Sequence, residues 1–367
     1  MNVRRILALL LAVFLCAALF AGCSLLEDNN RVPDKTGSWG QISETIQRGE
    51  DWQQIVSDSE FALGETYVKG QWYIGENETE DYYGIGFGTY PNLDGSTVAV
   101  PMAAEFARQH LGFSDEDANS MSMFYTTHEA YVHLITKSSN ASAMIQSTGT
   151  FLDDTHPVDL IIATEPSYEE LALAKEKGVT LVTKPVCYDA FVFITHKDNP
   201  VDSLTEEQIQ KIYAGEITNW SEVGGDDLPI AAYQREENSG SQTAMLNLVM
   251  KGVPMMPPPT VRIVMGMGGL IDVVAEYQND GISIGYTYKY YIDALYKNDN
   301  IKVLSVEGLS PSEENLRSGA YLYTTAYYGV IRGGEEKAAG GKFLTWMLSL
   351  EGQQCIQQAG YLPYMEL

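Results

Sequence analysis

Two short stretches of this 367-residue chain combine the residue types that hold an anion without a metal. The first is Gly95-Ser96-Thr97, which runs into a helical pattern over 99–111 with Pro101 at an early, tolerated position. The second is Arg235-Glu236-Glu237-Asn238-Ser239-Gly240-Ser241-Gln242-Thr243, which follows a strand-like run over 229–233 and opens an apolar helical run over 244–250. A helix start carries N–H groups with no intrahelical acceptor, and its dipole favours negative charge. Gly240 lets the backbone approach closely, Ser239 and Ser241 add hydroxyl donors, and Arg235 can fork two N–H bonds onto a tetrahedral oxyanion. Each charge-assisted hydrogen bond contributes about 1.5–3 kcal/mol, so several together offset the cost of stripping water from an anion. A plain N-cap at Ser239 and a solvated Arg235 would account for the second stretch equally well.

Catalytic and metal chemistry find little footing. Of the five histidines, His110, His128, His133, His156 and His196, the pair His128 and His133 is five residues apart, which does not place both on one helix face as a zinc pair needs. Ser239 sits in Asn-Ser-Gly-Ser, not in a Gly-x-Ser-x-Gly elbow, and no Ser/His/Asp order suggests a triad. A binding protein with no cofactor and no metal is expected, not an enzyme.

The elements that must position these residues follow an α/β alternation from residue 94 onward. Short β-rich runs at 159–164, 180–186, 190–195, 229–233, 282–286 and 301–305 stand between helical segments, which argues for largely parallel sheets covered by helices. Thr205 with Gln208 makes a capping box for a helix over 206–213, and Gly215 sits where its C-terminal cap belongs. Ser310-Pro311-Ser312-Glu313-Glu314-Asn315 is a second helix-start signature. In such folds ligands sit beyond the carboxyl ends of strands, where both anion-holding stretches fall.

The N-terminus predicts export. Arg4 and Arg5 precede an apolar run over 6–21 that is too short to span a bilayer as a permanent helix. Leu19-Phe20-Ala21-Gly22-Cys23 resembles a bacterial lipobox, with cleavage before Cys23 and lipidation of its thiol; ordinary signal cleavage is the plainer alternative. The polar stretch 27–37 reads as a tether, and 38–88 as an extension without evident chemistry. With 49 acidic against 23 basic residues the chain lacks the basic surface that nucleic acid requires, while a buried anion site remains compatible with that charge. Cys187 and Cys355 remain after the leader; export permits a disulfide between them, and two separate buried thiols is the plainer reading.

The order of motifs resembles the phosphate-binding proteins of bacterial phosphate ABC transporters and, more broadly, the type II periplasmic-binding-protein fold. The resemblance starts at Leu93-Asp94-Gly95-Ser96-Thr97 with Pro101, and runs through Asn199-Pro200-Val201, the helix 204–215, Ile217-Thr218-Asn219-Trp220 and Val223-Gly224-Gly225. It continues with Arg235 to Thr243, Ile284-Gly285-Tyr286, Ser310-Pro311 and Gly352-Gln353, covering residues 90–367 in order. It implies an α/β, two-lobe clamp with two crossover strands: a signal peptide at 1–22, a tether and extension at 23–88, one lobe from 89–191 plus 325–367, and the other from 192–324. Ligand would bind between the lobes and close them by a hinge.

Carried over by motif, Ser96, Thr97 and the Val98 N–H belong to the first lobe's share of the site, and Arg235, Ser239, Gly240 and Ser241 to the second's. A further hydroxyl expected at a later helix start falls on Thr127, with Thr126 and His128 as alternates. The aspartate by which the family accepts a ligand proton falls, in Asp159-Leu160-Ile161-Ile162-Ala163-Thr164-Glu165-Pro166, on Thr164, unless Glu165 takes that part; Glu165 otherwise reads as a first-turn acid of the following helix. The resemblance implies inorganic phosphate or a related oxyanion as ligand, ABC transporter permease subunits as partners, membrane attachment through the lipid alone, an extracytoplasmic location and a monomer. A sensing or signalling lipoprotein with the same clamp, binding another oxyanion or an organic phosphate, is the alternative.

Overall fold

A computed structural model describes residues 89–122, 124, 126–139, 157–257, 263–264, 266–276, 282–365 and 367, together with the backbone of 46–48. Cys23, the leader and tether and nearly all of the extension lie outside the described residues.

In chain order the elements are β1 (Ile46–Arg48), β2 (Leu93–Gly95), a 3-10 turn (Thr97–Ala99), α1 (Val100–Leu111), α2 (Asp115–Met121), α3 (Thr127–Thr136), β3 (Leu160–Ala163), α4 (Tyr168–Lys177) and β4 (Leu181–His196). Next come β5 (Ser203–Leu204), α5 (Glu206–Ala214), β6 (Ile230–Ala232), β7 (Gln234–Arg235) and α6 (Gly240–Ala244), which continues as a π-helical segment, Met245–Met250. The remainder is β8 (Ile263–Val264), α7 (Met267–Ala275), β9 (Ile282–Tyr288), β10 (Ile301–Val306), α8 (Glu313–Arg317), β11 (Thr324–Arg332), α9 (Ala339–Met347), α10 (Leu350–Gln358) and β12 (Leu362–Pro363).

Local signals explain many of these boundaries. The Thr205–Gln208 capping box opens α5, and Gly215 closes it in the left-handed conformation at φ 79°. Ser312 caps α8, accepting the Asn315 N–H. The expected strands at 180–186 and 190–195 are one 16-residue strand, β4. The strand tolerates Pro185 because β4 itself bulges there: Tyr327 faces Cys187 while Tyr328 faces Pro185, so Val186 is an extra residue of β4 with no opposite number.

The expectation of largely parallel sheets needs correcting. β2 with β3, β6 with β9, β10 with β5 and β1 with β4 are parallel, but β4 runs antiparallel to β11, β9, β10 and β12. The physical reason is that β4 is central and its principal neighbours come from the C-terminal half of the chain, returning in the opposite sense. Along β4 the partner changes: residues 181–190 pair with β11 and residues 191–195 with β9.

The main core lies on both sides of this change, with Phe106, Phe343 and Trp346 packed edge to face, and Phe191, Phe193, Tyr213 and Tyr286 in a second aromatic group. A smaller core joins α3 to the sheet through Ala130, Tyr131, Leu134 and Ile135 against Ile161, Ala163 and Val330. Cys187 and Cys355 are buried free thiols, each raised in pKa chiefly by that burial.

Candidate functional site

β2 and β3 pair in parallel, Gly95 opposite Ile162, so the chain leaves both strands at the same end of the sheet. Ser96 follows β2 immediately and Thr164 follows β3. The Ser96 N–H donates to the Ile162 carbonyl at 2.9 Å, and its own carbonyl accepts the Ala99 N–H at 2.8 Å to start the 3-10 turn. Its hydroxyl makes no capping bond and is buried without a hydrogen-bond partner among the described residues. Thr97 and Val98 are the first residues of that turn, and the Val98 carbonyl accepts the Tyr361 hydroxyl.

Three hydroxyl or imidazole candidates stood at the start of α3. Thr126 is the N-cap: its hydroxyl accepts the Glu129 N–H at 3.1 Å and donates to the Glu129 carboxylate at 3.1 Å. His128 faces Glu170, Nδ1 to Oε1 at 3.0 Å. Thr127 is the one that turns inward, buried, towards α6.

Gly240 brings α6 onto this group. A Cβ at Gly240 would lie 2.6 Å from Thr164 Oγ1 and 2.8 Å from Thr127 Oγ1, so only glycine permits the approach. The Tyr288 hydroxyl donates to the Gly240 carbonyl at 3.2 Å, and the Tyr131 hydroxyl donates to the Thr164 carbonyl at 2.8 Å. The Thr164 hydroxyl is buried next to that of Tyr288, without a well-formed hydrogen bond. Just before α6, Asn238 takes the left-handed conformation at φ 62° and donates from Nδ2 to the Glu169 carboxylate at 2.5 Å. Ser239 is the N-cap of α6, its hydroxyl accepting the Gln242 N–H at 3.2 Å, and Ser241 is buried in the first turn. Thr127, Thr164 and Gly240 are therefore in contact, and Ser96 joins them through the β2–β3 pairing.

Arg235 is buried, and its backbone is anchored: the N–H donates to the Tyr286 hydroxyl at 3.0 Å, while that hydroxyl donates to the Gln242 side-chain carbonyl. The expected fork onto a ligand is already engaged. Nε and Nη2 donate to the two carboxylate oxygens of Glu236 at 2.9 and 2.7 Å. Burial works to raise the Glu236 pKa, but the Arg235 bond and charge win and hold it below the usual range. The pair fixes the guanidinium plane, and an oxyanion would meet Nη1 or displace Glu236. Glu236 was missed in the sequence, although an acid directly after the arginine of an anion motif is the signal that could have exposed it.

Glu165 is not a first-turn acid. Ser167 is the N-cap of α4 in a capping box with Glu170, and Glu165 stands two residues outside, accepting from the Tyr328 hydroxyl at 3.3 Å. Two buried carboxylates border the site, each against a histidine of α3: Glu170 with His128, and Asp94 with His133 at 2.8 Å. The hydrogen bond to its acid is the main cause that raises each histidine's pKa, against burial, and burial in turn raises that of Glu170. Among the described residues no group of three or more His, Cys, Asp or Glu side chains is placed to hold a metal ion.

Residues 128–351 match a family model described as a PBP superfamily domain. The phosphate-binding protein PstS of Borreliella burgdorferi is 31% identical over 180 residues, 48% of this chain and 63% of that protein. That of Bacillus subtilis is 25% identical over 190 residues, 51% of this chain and 59% of that protein. The chain thus matches less than two thirds of the length of these relatives. Among solved structures, a putative phosphate ABC transporter substrate-binding protein with bound phosphate from Clostridium perfringens superposes with a TM-score of 0.53 at 24% identity, covering 74% of this chain and 98% of that one. An ABC-type phosphate transport receptor from Vibrio cholerae gives 0.51 at 20% identity, with the same coverage. These likenesses are of fold, and the sequence match over more than half of the chain settles the family: the chain belongs to the PBP superfamily.

Proposed function

We propose that the protein captures inorganic phosphate, or a closely related oxyanion, between the ends of β2 and β3, the start of α3 and the start of α6, and hands it to an ABC importer. The observation that carries this reading is the burial of the Ser96 and Thr164 hydroxyls, neither closing a well-formed hydrogen bond, beside Thr127 and the glycine that opens α6. A buried hydroxyl left without a partner costs about 1–3 kcal/mol, which a ligand accepting or donating there would recover. Thr97, the Val98 N–H, Arg235, Ser239 and Ser241 complete the proposed site, and the relatives from Borreliella burgdorferi and Bacillus subtilis are phosphate-binding proteins.

The two-lobe division at 89–191 plus 325–367 and 192–324 belongs to this reading. It is supported by the change of β4's partner from β11 to β9 between Ala190 and Phe191. Binding would shift such a clamp towards its closed state. Lipidation at Cys23, an extracytoplasmic position, permease contacts and a monomeric state are further parts of the proposal. Among the described residues no helix is long and apolar enough to cross a membrane.

Calorimetric titration of ligand-stripped protein with phosphate and then sulfate tests it. Phosphate is expected to bind and Arg235→Ala to weaken it by about 2 kcal/mol or more, the scale of a charge-assisted hydrogen bond. No heat with phosphate, or equal binding by the arginine variant, would overturn the assignment. Equal affinity for sulfate would keep the oxyanion site and remove the selectivity for a protonated ligand, leaving Thr164 unable to replace an acid.

A further inference from the structure

α3 contributes one hydroxyl, Thr127, but it is tied to both of its neighbours in the site by ionisable pairs. On one side His128 Nδ1 lies 3.0 Å from Glu170, whose other oxygen accepts the Ser167 N–H at 2.7 Å in the capping box of α4, three residues after Thr164. On the other side His133 Nδ1 lies 2.8 Å from Asp94, whose second oxygen accepts the Gly95 N–H at 2.8 Å, one residue before Ser96. Both carboxylates are buried, Glu170 at 1% and Asp94 at 3% exposure. Between the two pairs, Tyr131 of the same helix holds the Thr164 carbonyl.

We propose that His128–Glu170 and His133–Asp94 act as two charged struts that fasten α3 to the loops after β3 and β2, and so hold Thr127, Thr164 and Ser96 in one preorganised half of the oxyanion site. The histidines are positioning residues: each acts through its acid on a loop that carries another site hydroxyl. Preorganised donors bind more tightly because less ordering remains to be done on binding. Charge matters as well as geometry. With the histidines protonated each pair is neutral; with them deprotonated, two buried carboxylates face an anion site uncompensated.

The surroundings favour the protonated state. His128 faces Glu170 and Glu169 of α4 and lies near Glu129 of its own helix, while His133 faces Asp94 and Glu129. From β11, Arg332 reaches the C-terminal end of α3, donating from Nη1 to the Leu134 carbonyl at 2.9 Å, and is itself paired with Glu335. β3 offers only Leu, Ile, Ile and Ala. With pKa values raised above 6.5, the charged struts are complete below that value and are lost as pH rises through the higher folded-state values.

The affinity arm of the test rests on the phosphate reading, so a second arm does not use ligand. In the first, phosphate binding by the parent protein and by His128→Gln/His133→Gln is measured at pH 6 and pH 8.5. The double variant should bind about tenfold more weakly at pH 6, the scale of a charge-assisted hydrogen bond, with the gap closing at pH 8.5. The ligand's own ionisation is common to both proteins and cancels. Equal affinities, or a constant gap between the two pH values, would overturn the proposal. In the second arm, histidine titration by NMR of the ligand-free parent should show both rings titrating above the ordinary value. The amide signals of Thr127, Thr164 and Ser96 should move with them. If those amides ignore the histidines the proposal fails whatever phosphate does, and if they follow while phosphate does not bind, it is the ligand assignment that fails.

Discussion

Ser96 is the residue at which stability and function are opposed most clearly. Its hydroxyl is buried with no hydrogen-bond partner among the described residues, so Ser96→Ala removes an unsatisfied polar atom from the ligand-free protein. We expect the melting temperature of the free protein to hold or rise while phosphate affinity falls by about 1–3 kcal/mol, measured by thermal melts and titration on the same sample. A fall in both would mark Ser96 as structural. Gly240 gives the converse case. A methyl there meets Thr164 Oγ1 at 2.6 Å and Thr127 Oγ1 at 2.8 Å, so Gly240→Ala should push α6 away from α3 at a cost of about 1–3 kcal/mol in binding. Unchanged affinity would mean that this apposition does not belong to the binding state. Both residues were legible in the sequence, because Gly, Ser and Thr at a strand-to-helix junction imply a backbone that must come close to something. The pairing of the α3 histidines was not, since their acids reach them only after the chain has folded, Glu170 being 42 residues from His128 and Asp94 39 from His133; Glu236 adjoins its partner Arg235, and its part was passed over although the signal was local.

At the scale of elements, β4 carries most of the architecture, and it was the element read least well. The sequence reads as two strands, 180–186 and 190–195, with Cys187-Tyr188-Asp189 between them. In the fold the Asp189 carboxylate is instead held at the point where β4 changes partners, accepting the Ala190 N–H at 2.7 Å, the Tyr290 N–H at 3.1 Å and the Tyr327 hydroxyl at 2.7 Å. Burial nevertheless dominates and pushes its pKa up to about 6 from 3.8. The folded chain therefore holds this proton more tightly than the unfolded one, so this residue's contribution to stability falls as pH rises from about 4 to about 6 and is level above. The full change is roughly 3 kcal/mol. Urea unfolding of Asp189→Asn between pH 4 and pH 7 should lack that component; a pH dependence identical to the parent's would contradict the burial argument. The Thr205–Gln208 capping box was the most legible boundary, because the signal there lies within four residues. Strand direction was the least, because it depends on distant partners such as β9 and β11.

For the molecule as a whole, the α/β alternation and the order of motifs carried the fold class, and net charge excluded a nucleic-acid partner without forbidding a small anion. A chain with a formal charge of −26 can bind an anion only where local donors outweigh the distant field. At the proposed site three acids are paired with cationic or protonatable side chains: Glu236 with Arg235, Glu170 with His128 and Asp94 with His133. The partner change along β4 is where the hinge of the proposed two-lobe clamp would lie. A crystal structure of the protein grown with phosphate tests this account most directly. The account predicts a tetrahedral ion within hydrogen-bond distance of Ser96 Oγ, Thr127 Oγ1, Thr164 Oγ1 and the first turn of α6, with Arg235 Nη1 or a released Nε–Nη2 edge turned towards it. Phosphate bound elsewhere, or the Ser96 and Thr164 hydroxyls still without a partner in a phosphate-bound protein, would contradict it.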